Sequence, residues 1–484
     1  MPSIACVALT ITSSGFSATL CQFVAECRVS ASPASVQSAI EDRIIRKLRT
    51  HIIPFVFILF VINFVDRINI GFAALTMNKE LAITSQQFGL LSGIFFWGYF
   101  IFEIPSNLLL HKLGARIWIA RILVSWGIVA MLTGFARTAT HLYVLRFVLG
   151  VAEAGFVPGI LLYLTYWFPQ RQMAHTIAWF QTGNPVASVV GAPLSGLILD
   201  HIHWFGLSSW RWLLILEGIP AILGGIFTYL LLPGRPLEAK FLTAEEKYWL
   251  AAELACEEQQ KRATHRVTVG QALTHGRVWY LTAAWFTFCL STFTMIFWMP
   301  QLLKSFSNQY SNTTVGLLVM IPYFAALPVM ILVSRSSDRT LERRYHAAIP
   351  AIIGAIALML LGTMATGSLF LSVVLWCFVA SCIQSFVAPF WSLPNEFLTG
   401  FSAAAGIALI NSIGNLGGFV GPYAMGAINK WTGSFHGGLA FAGISLFTSA
   451  MLILAFRKRF TPETRAVAMT EASPAVLPTP NIDS

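Results

Sequence analysis

Apolar runs of about 20 residues recur along the chain, each long enough to cross a hydrocarbon core of roughly 30 Å as a helix. Six fall at 52–76, 88–110, 117–136, 141–165, 175–199 and 211–232, and six more at 278–303, 313–334, 347–366, 369–394, 402–427 and 435–456. A polar stretch, 233–277, separates the two sets. The pattern predicts an all-α membrane protein of 12 transmembrane helices in two six-helix bundles, 46–232 and 278–457, joined by that linker. Inside the linker, Thr243-Ala-Glu-Glu246 reads as a capping box, and the striped run after it predicts a short surface helix. Residues 1–45 are expected to form a disordered extension, since no basic n-region precedes Arg28. The Ala-, Pro- and Thr-rich tail, 458–484, is expected to be disordered too.

Composition fixes the solvent. Of 484 residues, 56% are hydrophobic and 11% charged. Soluble domains carry about 25% charged residues, so this chain could not clothe a water-facing surface. The net charge of +10 would otherwise invite a nucleic-acid reading, but the 31 Lys and Arg lie in short loops and form no basic face. Divided by side, 22 fall in the two flanks, the linker and loops 2/3, 4/5 and 8/9. Only Lys79, Arg137, Arg211, Lys304 and Lys430 fall opposite. That asymmetry predicts both termini and the linker in the cytoplasm, as for a multi-pass protein of a cell's inner membrane. The seven cysteines are odd in number and form no CxxC, so they read as reduced structural thiols with neither a disulfide framework nor a zinc site.

The halves repeat. Gly183-Asn184 leads to Gly191-Ala-Pro193-Leu-Ser-Gly196 in span 5, as Gly414-Asn415 leads to Gly421-Pro422-Tyr-Ala-Met-Gly426 in span 11. Phe156-Val157-Pro158 in span 4 likewise matches Phe386-Val387-Ala388-Pro389 in span 10. Parallel six-helix repeats loosened by Gly and Pro around a midplane cavity are one of the architectures of secondary transporters.

Charges inside spans carry the chemistry, because each costs at least about 2.5 kcal/mol at a helix centre unless paired or wetted. They are Asp66, Arg67, Glu103, Arg121, Arg146, Glu153 and Glu217. Arg121 and Glu217 are expected to snorkel from span ends. At 1.5 Å per residue, Asp66 and Arg146 reach about the same depth, which makes an ion pair or a shared substrate between spans 1 and 4 possible. Glu153 lies two turns, roughly 10 Å, nearer the cytoplasm. An arginine forks onto a carboxylate, and a buried carboxyl gains or loses a proton as the cavity changes sides, so this set suits proton-coupled transport of an anion. A salt-bridge lattice that only holds spans 1 and 4 together is the plainer alternative.

Phe64-Val-Asp66-Arg67-Ile-Asn69-Ile-Gly71, Arg146-Phe-Val-Leu-Gly150-Val-Ala-Glu153-Ala-Gly155-Phe-Val-Pro158-Gly159 and Ile410-Asn411-Ser-Ile-Gly414-Asn415-Leu-Gly417-Gly418 resemble the anion:cation symporter family of the major facilitator superfamily. The resemblance implies the major facilitator fold and import of a small organic carboxylate with protons, in a protein that is no enzyme. The carboxylate would be a sugar acid, a tartrate-like acid or an aromatic acid. It makes Asp66 and Glu153 the proton-coupling carboxylates and Arg67 and Arg146 the groups that hold the substrate carboxylate. Tyr99, Asn184, Trp391 and Asn411 would line the cavity, although membrane helices also bury Asn as interhelical glue and Trp as packing. Ser337-Asp338-Arg339 in loop 8/9 is similar to the superfamily's cytoplasmic gating signature. In loop 2/3, Lys112, Gly114 and Arg116 fit it, with His111 in place of its Asp. No cofactor is implied beyond the proton, and the working unit is expected to be a monomer.

Two rival readings follow. A proton-coupled antiporter of the same fold would export drugs, a role that Gly191-Ala-Pro193 faintly suggests and two intramembrane arginines oppose. A sensor or an intramembrane enzyme would need a soluble module or a motif such as a P-loop, HExxH or G-x-S-x-G, and the sequence holds none of these motifs. Asn312-Thr-Thr is a sequon, but its place at the start of span 8 reads as an N-cap.

Overall fold

A computed structural model describes residues 34–264, 275–306, 309–364, 368–394 and 400–456. Residues 265–274 of the linker, and the tail, lie outside the described residues. The first helix, α1 (Ala34–His51), already departs from expectation: residues 34–45, assigned to a disordered extension, are helical, with Ile44, Ile45 and Leu48 buried. The N-terminal bundle follows with α2 (Ile53–Glu80), α3 (Ser85–Leu113), α4 (Ala115–Thr133), α5 (Ala139–Glu153), α6 (Phe156–Thr165), α7 (Gln170–Gln181), α8 (Gly183–His201) and α9 (Ser209–Leu231). After the linker helix α10 (Ala244–Thr264) come α11 (Gly276–Lys304), α12 (Asn312–Thr340), α13 (Arg344–Met364), α14 (Leu369–Ser392), α15 (Gly400–Asn415), α16 (Gly417–Thr432) and α17 (His436–Ala455). Among the described residues, 11 helical segments are long and apolar enough to cross a membrane. The pair α15 and α16, which meet at Leu416, makes the twelfth crossing.

Proline chemistry explains the break in span 4. The ring of Pro158 crowds the carbonyl of Ala154 four residues earlier, and here the helix breaks, whereas α3 continues through Pro105 and α8 through Pro193. The chain opens at Ala154 and Gly155, Gly155 takes φ of 86°, and Ser106 Oγ donates to the freed Ala154 carbonyl at 2.6 Å. Glu153 therefore ends α5 immediately before a kink that a neighbouring span braces.

Within the N-terminal bundle α9 packs on α4 and α2, α5 on α3, and α8 on α2. In the C-terminal bundle α13 packs on α17 and α14, and α11 on α17 and α16. The bundles meet through α8 with α12, α3 with α16 and α2 with α11. Glycines let the backbones touch on the side away from the linker, here called the far side. A Cβ on Gly89 would lie 2.4 Å from the Pro422 carbonyl oxygen, and one on Gly426 2.3 Å from that of Ser85. Gly196 and Gly316 make the same close approach at Asn312 and Ala192.

Far-side polar contacts complete the closure. Asp200 of α8 accepts from the backbone N–H groups of Asn312 and Thr313 at 3.1 and 2.7 Å, and from both side chains at 2.8 and 2.7 Å. One bundle thus supplies a carboxylate to the helix N-terminus of the other. The cap of α12 itself is Ser311, whose Oγ accepts from the Thr314 N–H at 3.0 Å, and not Asn312.

On the linker side, Thr243 and Glu246 close the expected capping box. Glu246, buried, also takes Lys47 at 2.8 Å and Arg43 at 3.1 Å from α1. Burial works to raise the Glu246 carboxyl, but the bonds from Lys47 and the Thr243 N–H, with the charges of Lys47 and Arg43, outweigh it and hold it below its ordinary value. Cys289, Cys377 and Cys382 are free, as expected. Cys256 is disulfide-bonded, against the reading of uniformly reduced thiols.

Candidate functional site

The buried charges of α2 and α5 meet in the middle of the N-terminal bundle, but not in the pairing that depth alone suggests. Arg67 forms the ion pair, with Glu153, and both side chains are buried. An arginine side chain is long enough to cover the offset in depth between them. The Arg67 guanidinium also lies 5.2 to 5.7 Å from the ring centres of Phe64, Phe95 and Tyr99. Asp66 instead accepts from Trp126 Nε1 of α4 at 2.9 Å and from Asn69 Nδ2 at 3.2 Å, with Arg146 in electrostatic reach.

Arg146 is 2% exposed, and its Nε and one terminal nitrogen make no hydrogen bond to protein. Its neighbours are the Phe95 ring, 5.5 Å from the guanidinium, and the charges of Asp66 and Glu153. Donors that belong to a fixed fork and have no protein partner are what a planar carboxylate needs.

The remaining predicted lining residues divide by bundle. Tyr99 is buried beneath Arg67. Asn184 Oδ1 accepts from Gln384 Nε2 at 3.0 Å, bridging α8 to α14. Asn411 Nδ2 donates at 3.0 Å to Glu103 of α3, and Ser412 Oγ donates to the other oxygen of the same carboxylate. Trp391 packs edge-on against Trp285 at 4.8 Å. Trp285, Phe288, Phe386 and Phe390 form a buried stack in the C-terminal bundle, so these aromatics face protein and not lipid.

Glu217 corrects the sequence reading. It does not snorkel: it is 5% exposed, and Ser195 Oγ donates to it at 2.8 Å. Glu103 gains an inter-bundle role that its sequence context left open. Trp126, Asn69, Ser195 and Ser412 were given no role by the sequence, although the last three stand within its motifs. They carry no charge and recur throughout membrane helices, so only proximity to a carboxylate marks them. Arg121, half-buried, stacks on Trp118 at 3.9 Å.

The gating residues stay within their own bundles. Asp338 accepts from Arg343 at 2.5 Å, and Arg339 is exposed. Arg116 Nε donates to the Tyr229 carbonyl at 2.8 Å, and Lys112 is exposed. Among the described residues no ion pair joins loop 2/3 to loop 8/9. The side chain of His111 lies outside the described residues.

Two helical bundles closed on the far side, with buried charges and polar bridges at mid-depth, have the architecture of a membrane transporter. The comparisons place it: residues 56–422 match the model of the Major Facilitator Superfamily, and the chain belongs to that family. A protein of Agrobacterium vitis named "Putative tartrate transporter" is 43% identical over 431 residues, 88% of this chain and 98% of that one. A "Quinolone resistance transporter" of Acinetobacter baumannii is 38% identical, covering 88% and 98%. Among solved structures, the inward open conformation of the xylose transporter XylE from E. coli aligns with a TM-score of 0.68 at 14% identity, over 86% of this chain and 99% of that one, a likeness of fold. The superfamily recognised from the motifs is the one found, and the first of these relatives agrees with its anion:cation symporter branch.

Proposed function

We propose that the protein imports a small organic carboxylate together with protons, by rocking its two bundles about a site at mid-depth. The carrying observation is the pair of buried guanidiniums: Arg67, already paired with Glu153, and Arg146, with donors that no protein atom takes. In this reading Arg146 binds the substrate carboxylate, assisted by Arg67, with Tyr99, Asn184, Trp391 and Asn411 around the rest of the molecule. Protonation of Glu153 or Asp66 removes a counter-charge from an arginine and makes room for the substrate's negative charge. Substrate and proton then enter one low-dielectric site as a pair whose charges cancel. We place the linker side in the cytoplasm of a bacterial inner membrane, on the excess of Lys and Arg there. The gate of Asp338, Arg339, Lys112 and Arg116 would close on that side, and the working unit is a monomer.

The test is uptake into proteoliposomes of tartrate, sugar acids and aromatic acids under an inward proton gradient. Accumulation that survives collapse of the gradient would refute the coupling. The second reading, a proton-coupled antiporter that exports drugs, is favoured by the Acinetobacter baumannii relative's name. Binding of lipophilic cations in preference to anions would establish it over symport.

A further inference from the structure

Buried in the N-terminal bundle are two central guanidiniums, Arg67 and Arg146, against four carboxyls, Asp66, Glu103, Glu153 and Glu217. Three of the four are served. Glu153 has the charge of Arg67 on one oxygen, although its Oε2 takes no protein hydrogen bond, Asp66 has two donors and the nearby charge of Arg146, and Glu103 has a donor on each oxygen.

Glu217 is different. Ser195 serves Oε1 at 2.8 Å, while Oε2 is buried and makes no hydrogen bond to protein. The helices packed on α9 are α4, α2 and α8. From α2, Asp66 and Asn69 face Glu217, and from α8 Ser195 does. The charged residues of α4 are turned elsewhere, Arg116 to the Tyr229 carbonyl and Arg121 to the Trp118 ring. Arg211, on α9 itself, is held by Glu80 and the carbonyls of Gly134 and Ala136. No cation pairs with Glu217 among the described residues, and the charged neighbour it has, Asp66, carries the same sign. An anion in such a place loses its hydration without a counter-charge to replace it, and the neutral acid avoids that cost.

Asn69 connects the two carboxyls. Its Nδ2 donates to Asp66, its side chain also lies against Glu217, and its buried Oδ1 has no protein partner. A proton on Glu217 creates a donor in contact with the side chain that carries this unused acceptor. We propose that Glu217 holds a proton in the resting protein and exchanges it with Asp66, with Asn69 keeping the two carboxyls in register, as a second proton-binding site in series with the coupling site. With the proton on Glu217, Asp66 is the anion that balances Arg146. When the proton passes to Asp66, Arg146 loses that counter-charge and can accept the substrate carboxylate. The carboxylate left on Glu217 regains a proton from water by way of Asp66, once Asp66 has released its own. The role of Asp66 in this sequence rests on the symport reading, but the resting proton on Glu217 does not.

Infrared difference spectroscopy of the full-length, ligand-free protein in lipid vesicles at neutral pH tests both parts. Glu217→Gln keeps the shape of the side chain and an acceptor for Ser195, so the fold is retained. It should lose the carbonyl-stretch band of one protonated carboxyl, and a spectrum unchanged by the substitution overturns the proposal. In the wild type that band should move promptly on transfer to heavy water, and in Asp66→Asn the prompt exchange should be lost. Exchange as fast in Asp66→Asn as in the wild type overturns the series arrangement. Neither readout needs a substrate, so failure here is separate from failure of gradient-driven uptake.

Discussion

At the residue scale the decisive contrast is between Arg146 and Arg67, two guanidiniums in one bundle with different neighbours. Arg67 is committed to Glu153, and truncating either partner leaves a buried charge uncompensated, at about 3–5 kcal/mol. Arg146 makes no ion pair among the described residues, so its replacement should act on binding more than on stability. Arg146→Lys keeps the charge but removes the fork, and carboxylate affinity is expected to fall about tenfold, or about 1.4 kcal/mol, with little change in thermal stability. Thermal-shift titration against a series of organic acids measures both. Glu153→Gln imitates the protonated acid permanently, so exchange of substrate for substrate should persist while accumulation against a gradient is lost. Counterflow and gradient-driven uptake, assayed on the same vesicles, separate the two. These three charges were legible in the sequence because charge is scarce within spans. The bond from Arg67 to Glu153 was not, because depth along a helix says nothing about which way a long side chain bends.

At the scale of elements, glycines sort by what they touch. A Cβ on Gly150 would lie 2.1 Å from the Phe95 carbonyl oxygen, inside the N-terminal bundle, whereas one on Gly89 would lie 2.4 Å from that of Pro422, across the bundle boundary. Gly150→Ala should therefore lower the melting temperature, by overpacking worth about 1–3 kcal/mol. Gly89→Ala should spare stability and part the far side instead, seen as a longer distance between spin labels on the outer ends of α3 and α16. The linker makes a further case. Glu246 has its carboxyl lowered by its contacts with α1, so its stabilising contribution is complete above the ordinary glutamate range and is lost as pH falls through the lowered value. Amide exchange in α1 should rise only on acidification, and in Glu246→Gln it should already be fast at neutral pH. The capping box that begins α10 was visible in the sequence as local spacing. Its second use, as the anchor of α1, joins residues 199 positions apart and was not.

At the scale of the whole molecule, the far-side closure depends on a carboxylate of one bundle placed at a helix start of the other. Asp200→Ala strips the acceptor from two backbone N–H groups and two side chains of α12. Loosening of the closed state by about 1–3 kcal/mol is expected. A cysteine placed at Ser85, where Gly426 approaches, should then react faster with a membrane-impermeant maleimide, and an unchanged rate would show that the glycine contacts alone hold the far side shut. The same closed state brings Glu103 to Asn411 and Ser412, and Asn184 to Gln384, and under the proposed rocking mechanism these bonds at mid-depth would have to exchange.

The sequence by itself determined how many times the chain crosses the membrane and which charges lie inside the spans. Both follow from local quantities, hydropathy over a 20-residue window and the scarcity of charge within it. Only the tertiary structure decided that Glu217 turns inward beside Asp66, that Glu103 faces the other bundle, and that Arg146 keeps free donors. Those outcomes depend on the rotation and tilt of each helix. Rotation and tilt are set by packing against neighbours hundreds of residues away, and an apolar run of sufficient length is compatible with many of them.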